Sequence, residues 1–212
     1  ALCHGGVANN AGVELVKIDS SRLEDANAKL DELFANIDGI LVPGGFGERG
    51  IEGMILAARY AREHKLPYFG ICLGMQVMVI EYARDIVGWE DAHSTEFSKT
   101  TTHPVVCLLE EQVNVKNYGG TMRLGANESV TKPDTKIRKA YGAERIVERH
   151  RHRYEVANTA RPELEAKGLT ISATTPDGEL VEACEWNDNP WGVGVQFHPE
   201  FKSRPTKAHP LF

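Results

Sequence analysis

The sequence predicts an α/β domain: a mostly parallel central sheet flanked by helices, with an added antiparallel hairpin region. Three observations carry this. The first half alternates short apolar runs with segments whose apolar residues recur three and four apart. Two of those runs stop at glycine-rich turns, Pro43-Gly44-Gly45 and Gly70-Ile71-Cys72-Leu73-Gly74. The second half changes to short alternating runs punctuated by turns, the pattern of antiparallel strands. Strand and helix in alternation imply parallel strands joined by helical crossovers.

Taken in order, residues 14–18 read as a strand, and Ser20 or Ser21 caps a helix running through Leu23, Ala26, Leu30 and Leu33. Residues 39–42 form the next strand, closed by Pro43-Gly44-Gly45, and residues 51–63 the next helix. Residues 66–71 are a strand and residues 73–83 a helix. Residues 105–109 and 121–124 look like short strands in a turn-rich region. Residues 170–173 and 180–185 alternate about Pro176-Asp177-Gly178, which predicts a hairpin. Residues 193–197 return to the core and deliver His198. No repeat, low-complexity tract or linker divides the chain, so residues 1–212 read as a single domain. In parallel sheets, sites gather at the carboxyl ends of strands. Gly45 and Cys72 both follow such ends.

A chain of 212 residues buries roughly 70% of its unfolded surface and needs no disulfide or metal staple. At 42% hydrophobic and 25% charged, it has a globular composition. A net charge of −6 argues against nucleic acid or an anionic membrane as partner. No apolar run approaches the length of a membrane span, and the first residues lack the basic and apolar regions of a signal peptide. Cys3, Cys72, Cys107 and Cys184 form no C-x-x-C pair, so no metal site is expected. Reduced thiols in the cytoplasm are expected, with Cys3, Cys107 and Cys184 as small apolar fillers.

The stretch Gly70-Ile71-Cys72-Leu73-Gly74-Met75-Gln76 sets one cysteine at a strand-to-helix turn. A free thiol has a pKa near ~8.5, and the positive end of a helix favours its thiolate. Gly70 and Gly74 remove side chains that would crowd an elbow analogous to the serine elbow of α/β-hydrolases. An isolated Gly-x-Cys-x-Gly is more often a buried structural cysteine between packing glycines. The Gly44-Gly45 turn and His198-Pro199-Glu200 weigh for chemistry. His198 would take the thiol proton and return it to the leaving group, and Glu200 would hold the imidazole. The amides of Gly45 and Leu73 would form an oxyanion hole, typically about 3 kcal/mol per donor. Nucleophile, base and orienting acid together suit acyl transfer through a thioester. No G-K-[ST] follows the glycine turn, which excludes a Walker loop. The run Arg149-His150-Arg151-His152-Arg153 invites nucleic acid or a metal. It is short and flanked by Glu148 and Glu155, and its arginines would repel a cation. A solvated charged face describes part of it.

These elements, in this order, resemble class I glutamine amidotransferases, which implies a flavodoxin-like fold. Residues 94–97, 119–125, 148–156 and 197–205 narrow the resemblance to the glutaminase domains of CTP synthases, over nearly the whole chain. The Cys-His-Glu set alone does not separate these from GMP synthetase or anthranilate synthase. The Gly-Gly-Thr-Met-Arg and Arg-His-Arg-His-Arg stretches do.

The resemblance implies that Cys72 attacks the side-chain amide of L-glutamine, ammonia leaves, and water hydrolyses the γ-glutamyl thioester to glutamate. It places Gln76, Glu96 and Arg153 on the substrate, with backbone help from Gly45, Leu73 and Tyr154. A cationic fork suits the α-carboxylate and a carboxylate the α-ammonium. No cofactor is expected in this domain. ATP, UTP and Mg2+ belong to a synthetase domain of the same full-length chain, with GTP as activator and a homotetramer as the assembly. No Walker-type loop or UTP site is present here. Arg123 and Glu128 serve structure or contact that domain. The family domain begins with a strand and helix before Ala1 and continues after Phe212, so this chain is expected to be truncated at both ends and less stable than a complete domain. Alternatives are an inactive fragment with an assembly or regulatory role, the glutaminase of another amidotransferase, or a γ-glutamyl hydrolase. A cysteine peptidase is disfavoured, because the Gly-Gly loop and the Glu96/Arg153 pair suit a free amino acid.

Overall fold

The computed structural model describes residues 1–108 and 122–212. Its strands are β1 (Ile40–Val42), β2 (Tyr68–Ile71), β3 (His93–Ser94), β4 (Pro104–Leu108), β5 (Arg123–Thr131), β6 (Arg145–His152), β7 (Tyr154–Val156), β8 (Leu169–Thr174), β9 (Val181–Trp186) and β10 (Gly192–Val195). Its helices are α1 (Leu2–Ala8), α2 (Leu30–Leu33), α3 (Ile51–Glu63), α4 (Leu73–Tyr82), α5 (Lys136–Tyr141) and α6 (Arg161–Ala166).

Seven strands form one sheet in the order β1-β2-β10-β9-β8-β5-β6. β1, β2 and β10 run parallel, so their carboxyl ends meet at one edge with β2 in the middle. From β10 onward every pairing is antiparallel. The α/β class holds and the sheet is mixed. The expected hairpin, β8 with β9, belongs to a larger antiparallel extension completed by β5 and β6. A second sheet, β3-β4-β7, lies apart.

The parallel strands form because their residues are apolar on both sides. Tyr68 of β2 enters the core beneath α3 and α4, while Phe69 and Ile71 enter a second cluster with Val193, Val195, Phe197 and Ile137. α3 is amphipathic, burying Ile51, Ile55, Ala58 and Ala61 at helical spacing. α4 is buried on every side, from Leu73 to Tyr82, so it reads as a core helix. A π-helical turn, Ala83–Val87, extends it.

Residues 14–18 are not a strand. Leu15 and Val16 are half exposed and the segment has no ladder partner among the described residues, so alternation alone did not make a strand. The helix expected from Ser20 to Leu33 shrinks to a 3-10 turn, Ser20–Arg22, and the single turn of α2. Asp19 accepts from the Ser21 amide and Asp25 from the Asn27 amide. Such local side-chain bonds compete with the helix. Of the two short strands expected in the turn-rich region, residues 105–108 fall in β4. Arg123 and Leu124 open the longer β5, while Leu109 and Thr121 lie outside the described residues. β6 was not anticipated. Its exposed Arg145, Val147, Arg149 and Arg151 alternate with buried Ile146, Glu148, His150 and His152.

Candidate active site

Cys72 sits where β2 passes into α4, at φ +53° and ψ −104°. A non-glycine residue there costs of order 1–3 kcal/mol and persists only where its surroundings fix it. Its amide donates to the Val195 carbonyl of β10 at 2.7 Å, and its carbonyl accepts from Met75 and Gln76 at 3.0 and 3.2 Å. The elbow leaves no room for flanking side chains. A Cβ on Gly70 would lie 2.5 Å from the Gly74 backbone, and one on Gly74 would lie 2.1 Å from the Val42 carbonyl oxygen.

The neighbouring strand ends complete the arrangement. β1 delivers Gly44, where an added Cβ would stand 2.7 Å from His198 Cε1 and 3.4 Å from Cys72 Cβ. The imidazole and the thiol-bearing carbon therefore meet across that glycine. β10 delivers His198, whose amide donates to the Arg149 carbonyl at 2.8 Å. His198 Nδ1 lies 2.7 Å from Glu200 Oε1, and the ring stacks on Phe201. With Nδ1–H donating to the carboxylate, Nε2 carries the lone pair. It is buried with no protein partner among the described residues.

The thiol is almost wholly buried. Burial pushes its pKa up to about 12, the Leu73 amide pulls it down, and the carboxylates of Glu155, Glu200 and Glu96 add to the rise. The helix terminus alone thus does not yield a resting thiolate as the sequence suggested. A base must take the proton.

Gly45, Leu73, Gln76, Glu96, Arg153 and Tyr154 line one cleft over Cys72, joined by Phe46 and His152. Glu96 follows β3, its amide held by Ser94 Oγ at 3.1 Å. Burial raises its carboxyl and the facing Arg153 lowers it, which places opposite charges on the two sides of the cleft. The Arg153 guanidinium lies 5.9 Å from the Tyr154 ring centroid. Gln76 is buried, its Nε2 donating to the Tyr154 carbonyl at 3.1 Å.

Sequence reasoning missed what lies behind this cleft. His150 and His152 point inward, with His150 Nδ1 and His152 Nε2 3.0 Å apart. His150 Nε2 lies 3.2 Å from Glu182 Oε2, and His152 Nδ1 lies 3.3 Å from Glu155 Oε1. Burial first, and Arg123 second, lower His150 to about 2 and His152 to about 3, so both are neutral. Arg123 pairs with Glu182 inside the domain, whereas Glu128 meets Arg145 at 2.9 Å on the surface. The period-two alternation of residues 145–152 was the available signal. Among the described residues no group of three His, Cys, Asp or Glu side chains is arranged to hold a metal. No helix of the described residues is long and apolar enough to cross a membrane.

A strained cysteine elbow on the parallel strands of a mixed sheet, flanked by a glycine turn and a histidine–glutamate pair, marks a class of protein. A family description, glutamine amidotransferase class-I, matches residues 1–212, and the chain belongs to that family. Its relatives narrow the assignment. CTP synthase of Fibrobacter succinogenes is 55% identical across all of this chain, and CTP synthase of Bacillus velezensis 51%. The glutaminase domain of Trypanosoma brucei CTPS, solved with bound acivicin, superposes with a TM-score of 0.92 at 41% identity, over 98% of this chain and 81% of that one. The chain is a glutamine amidotransferase domain of the CTP synthase type. It spans 37% and 39% of the two curated relatives' lengths. A glutamine amidotransferase from Thermotoga maritima, 15% identical with a TM-score of 0.54 over 94% of this chain and 69% of that one, shares the fold.

Proposed function

We propose that this chain hydrolyses L-glutamine through a thioester on Cys72 and supplies the ammonia to a synthetase domain of a longer protein. Cys72 Sγ attacks the side-chain amide carbon as its proton passes to His198 Nε2. The Gly45 and Leu73 amides receive the oxyanion. His198 returns the proton to the departing nitrogen, which leaves as ammonia. It next deprotonates the water that attacks the γ-glutamyl thioester, releasing glutamate and the free thiol. Glu200 holds the imidazole throughout. Arg153 takes the α-carboxylate and Glu96 the α-ammonium, with Gln76 and the Tyr154 backbone shaping the cleft between them.

The observation that supports this most is the meeting of the Cys72 elbow and the Glu200-held His198 across Gly44. The names and greater lengths of the relatives support a synthetase domain in a longer protein. In the longer protein, ATP and UTP with Mg2+ would bind the synthetase domain, ammonia would convert UTP to CTP, GTP would activate, and the assembly would be a cytoplasmic homotetramer. Hydroxylamine added during turnover should divert the thioester into γ-glutamyl hydroxamate. Cys72→Ala should make none. Hydroxamate formation or glutamine hydrolysis persisting in that variant would overturn the assignment.

A further inference from the structure

The segment between β10 and His198 carries a side chain the mechanism above does not use. Gln196 is fully buried, and its amide donates to the Glu182 carbonyl at 2.9 Å. Its side chain touches two site residues at once. Oε1 accepts from Gln76 Nε2 at 3.2 Å, and Nε2 lies 3.6 Å from Cys72 Sγ. The polarity of this chain of contacts is fixed from its far end. The Tyr154 carbonyl can only accept, so Gln76 must present its NH2 there. That same NH2 faces Gln196, which must answer with its carbonyl oxygen. The Gln196 NH2 is then left facing the sulfur.

We infer that Gln196 is a positioning residue for Cys72, a two-ended clamp whose carbonyl is oriented by Gln76 and whose N–H donates to the thiol sulfur. The inference rests on Cys72 being the nucleophile. An N–H donor binds a thiolate more strongly than a thiol. Gln196 therefore joins the Leu73 amide in opposing burial, and it holds the sulfur in the orientation the elbow presents. It also ties the glutamine cleft to the nucleophile, because Gln76 is the partner that keeps the donor end aimed. Gln196 and Cys72 are 124 residues apart, and no local pattern marks a glutamine aimed at the sulfur.

The test follows alkylation of Cys72 by a glutamine-mimicking chloroketone as a function of pH, read by intact mass. Other groups face the sulfur: Glu155 from β7, Glu96 after β3, His152 and Arg153 at the end of β6, and His198 and Glu200 after β10. The substitutions leave all of them in place. Gln196→Met keeps the volume and removes the donor, and should slow alkylation about tenfold at each pH between about 7 and 9 while the glutamine concentration that half-protects Cys72 stays unchanged. Gln196→Glu keeps the shape and replaces the donor with an acceptor, and should slow it further. Folded variants that alkylate at the unsubstituted rate, or that lose protection by glutamine in proportion, would overturn the inference, since a purely structural role disturbs the glutamine cleft along with the thiol. Should neither variant fold, the unsubstituted protein still decides. The Gln196 side-chain N–H resonance must shift when the sulfur is alkylated, and a resonance that does not move overturns the clamp. Failure of the underlying reading looks different: the unsubstituted protein then shows no alkylation of Cys72 that glutamine protects against.

Discussion

At Cys72 two effects oppose each other. Burial and three carboxylates hold the proton on sulfur, while the Leu73 amide at the head of α4 draws it off. Burial is the larger, so the proposed chemistry needs a base, the role we propose for His198. A small neutral alkylating reagent should therefore label Cys72 slowly near neutral pH, and faster as pH rises toward about 12. Exposed Cys3 should label first, and peptide mapping after brief exposure would show the order. Glu200→Gln keeps the geometry but loses the charge that stabilises the imidazolium. Glutamine hydrolysis should fall at least ~100-fold with the substrate KM little changed. An unchanged kcat would remove Glu200 from the triad.

At the scale of elements, the site depends on how closely α4 approaches the sheet. Gly74→Ala forces a methyl against the Val42 carbonyl. The variant should lose about 3 kcal/mol or more of stability, measurable by denaturant unfolding. α4 also meets α3 where buried Glu81 pairs with the partly exposed Arg62 at 2.7 Å. Burial, opposed by Arg62, leaves Glu81 raised to about 7. Its folded-state pKa exceeds the unfolded value, so its contribution is present below about 4.5 and declines as pH rises through about 7. Relative to Glu81→Gln, the protein should lose about 3 kcal/mol across that window. A pH-independent difference would contradict the raised value. These parallel elements were legible in the sequence because apolar runs and helical spacing mark them directly. β6 was not, because its inward side carries Glu148, His150 and His152, whose burial depends on partners elsewhere in the chain. Residues 14–18 failed in the opposite sense, with a strand-like pattern and no ladder partner among the described residues.

Across the whole molecule, the proposed triad was readable as a candidate because each member sits in a short distinctive stretch at a strand end. The parallel order β1-β2-β10 then brings those ends to one edge. The cleft's remaining members come from the second sheet and the β6–β7 junction, which only the resemblance located. The buried cluster of Arg123, His150, His152, Glu155 and Glu182 shows why local pattern did not suffice, since its members come from four strands. Arg123→Met leaves Glu182 buried without its cation, and should destabilise the protein by about 3–5 kcal/mol. The measurement that bears most directly on the central claim is intact mass after brief exposure to a glutamine-mimicking chloroketone, with excess glutamine as competitor and Cys72→Ala alongside. One adduct, blocked by glutamine and missing from the variant, is the predicted result. A folded protein that takes no adduct, or takes one that glutamine does not block, would contradict the account.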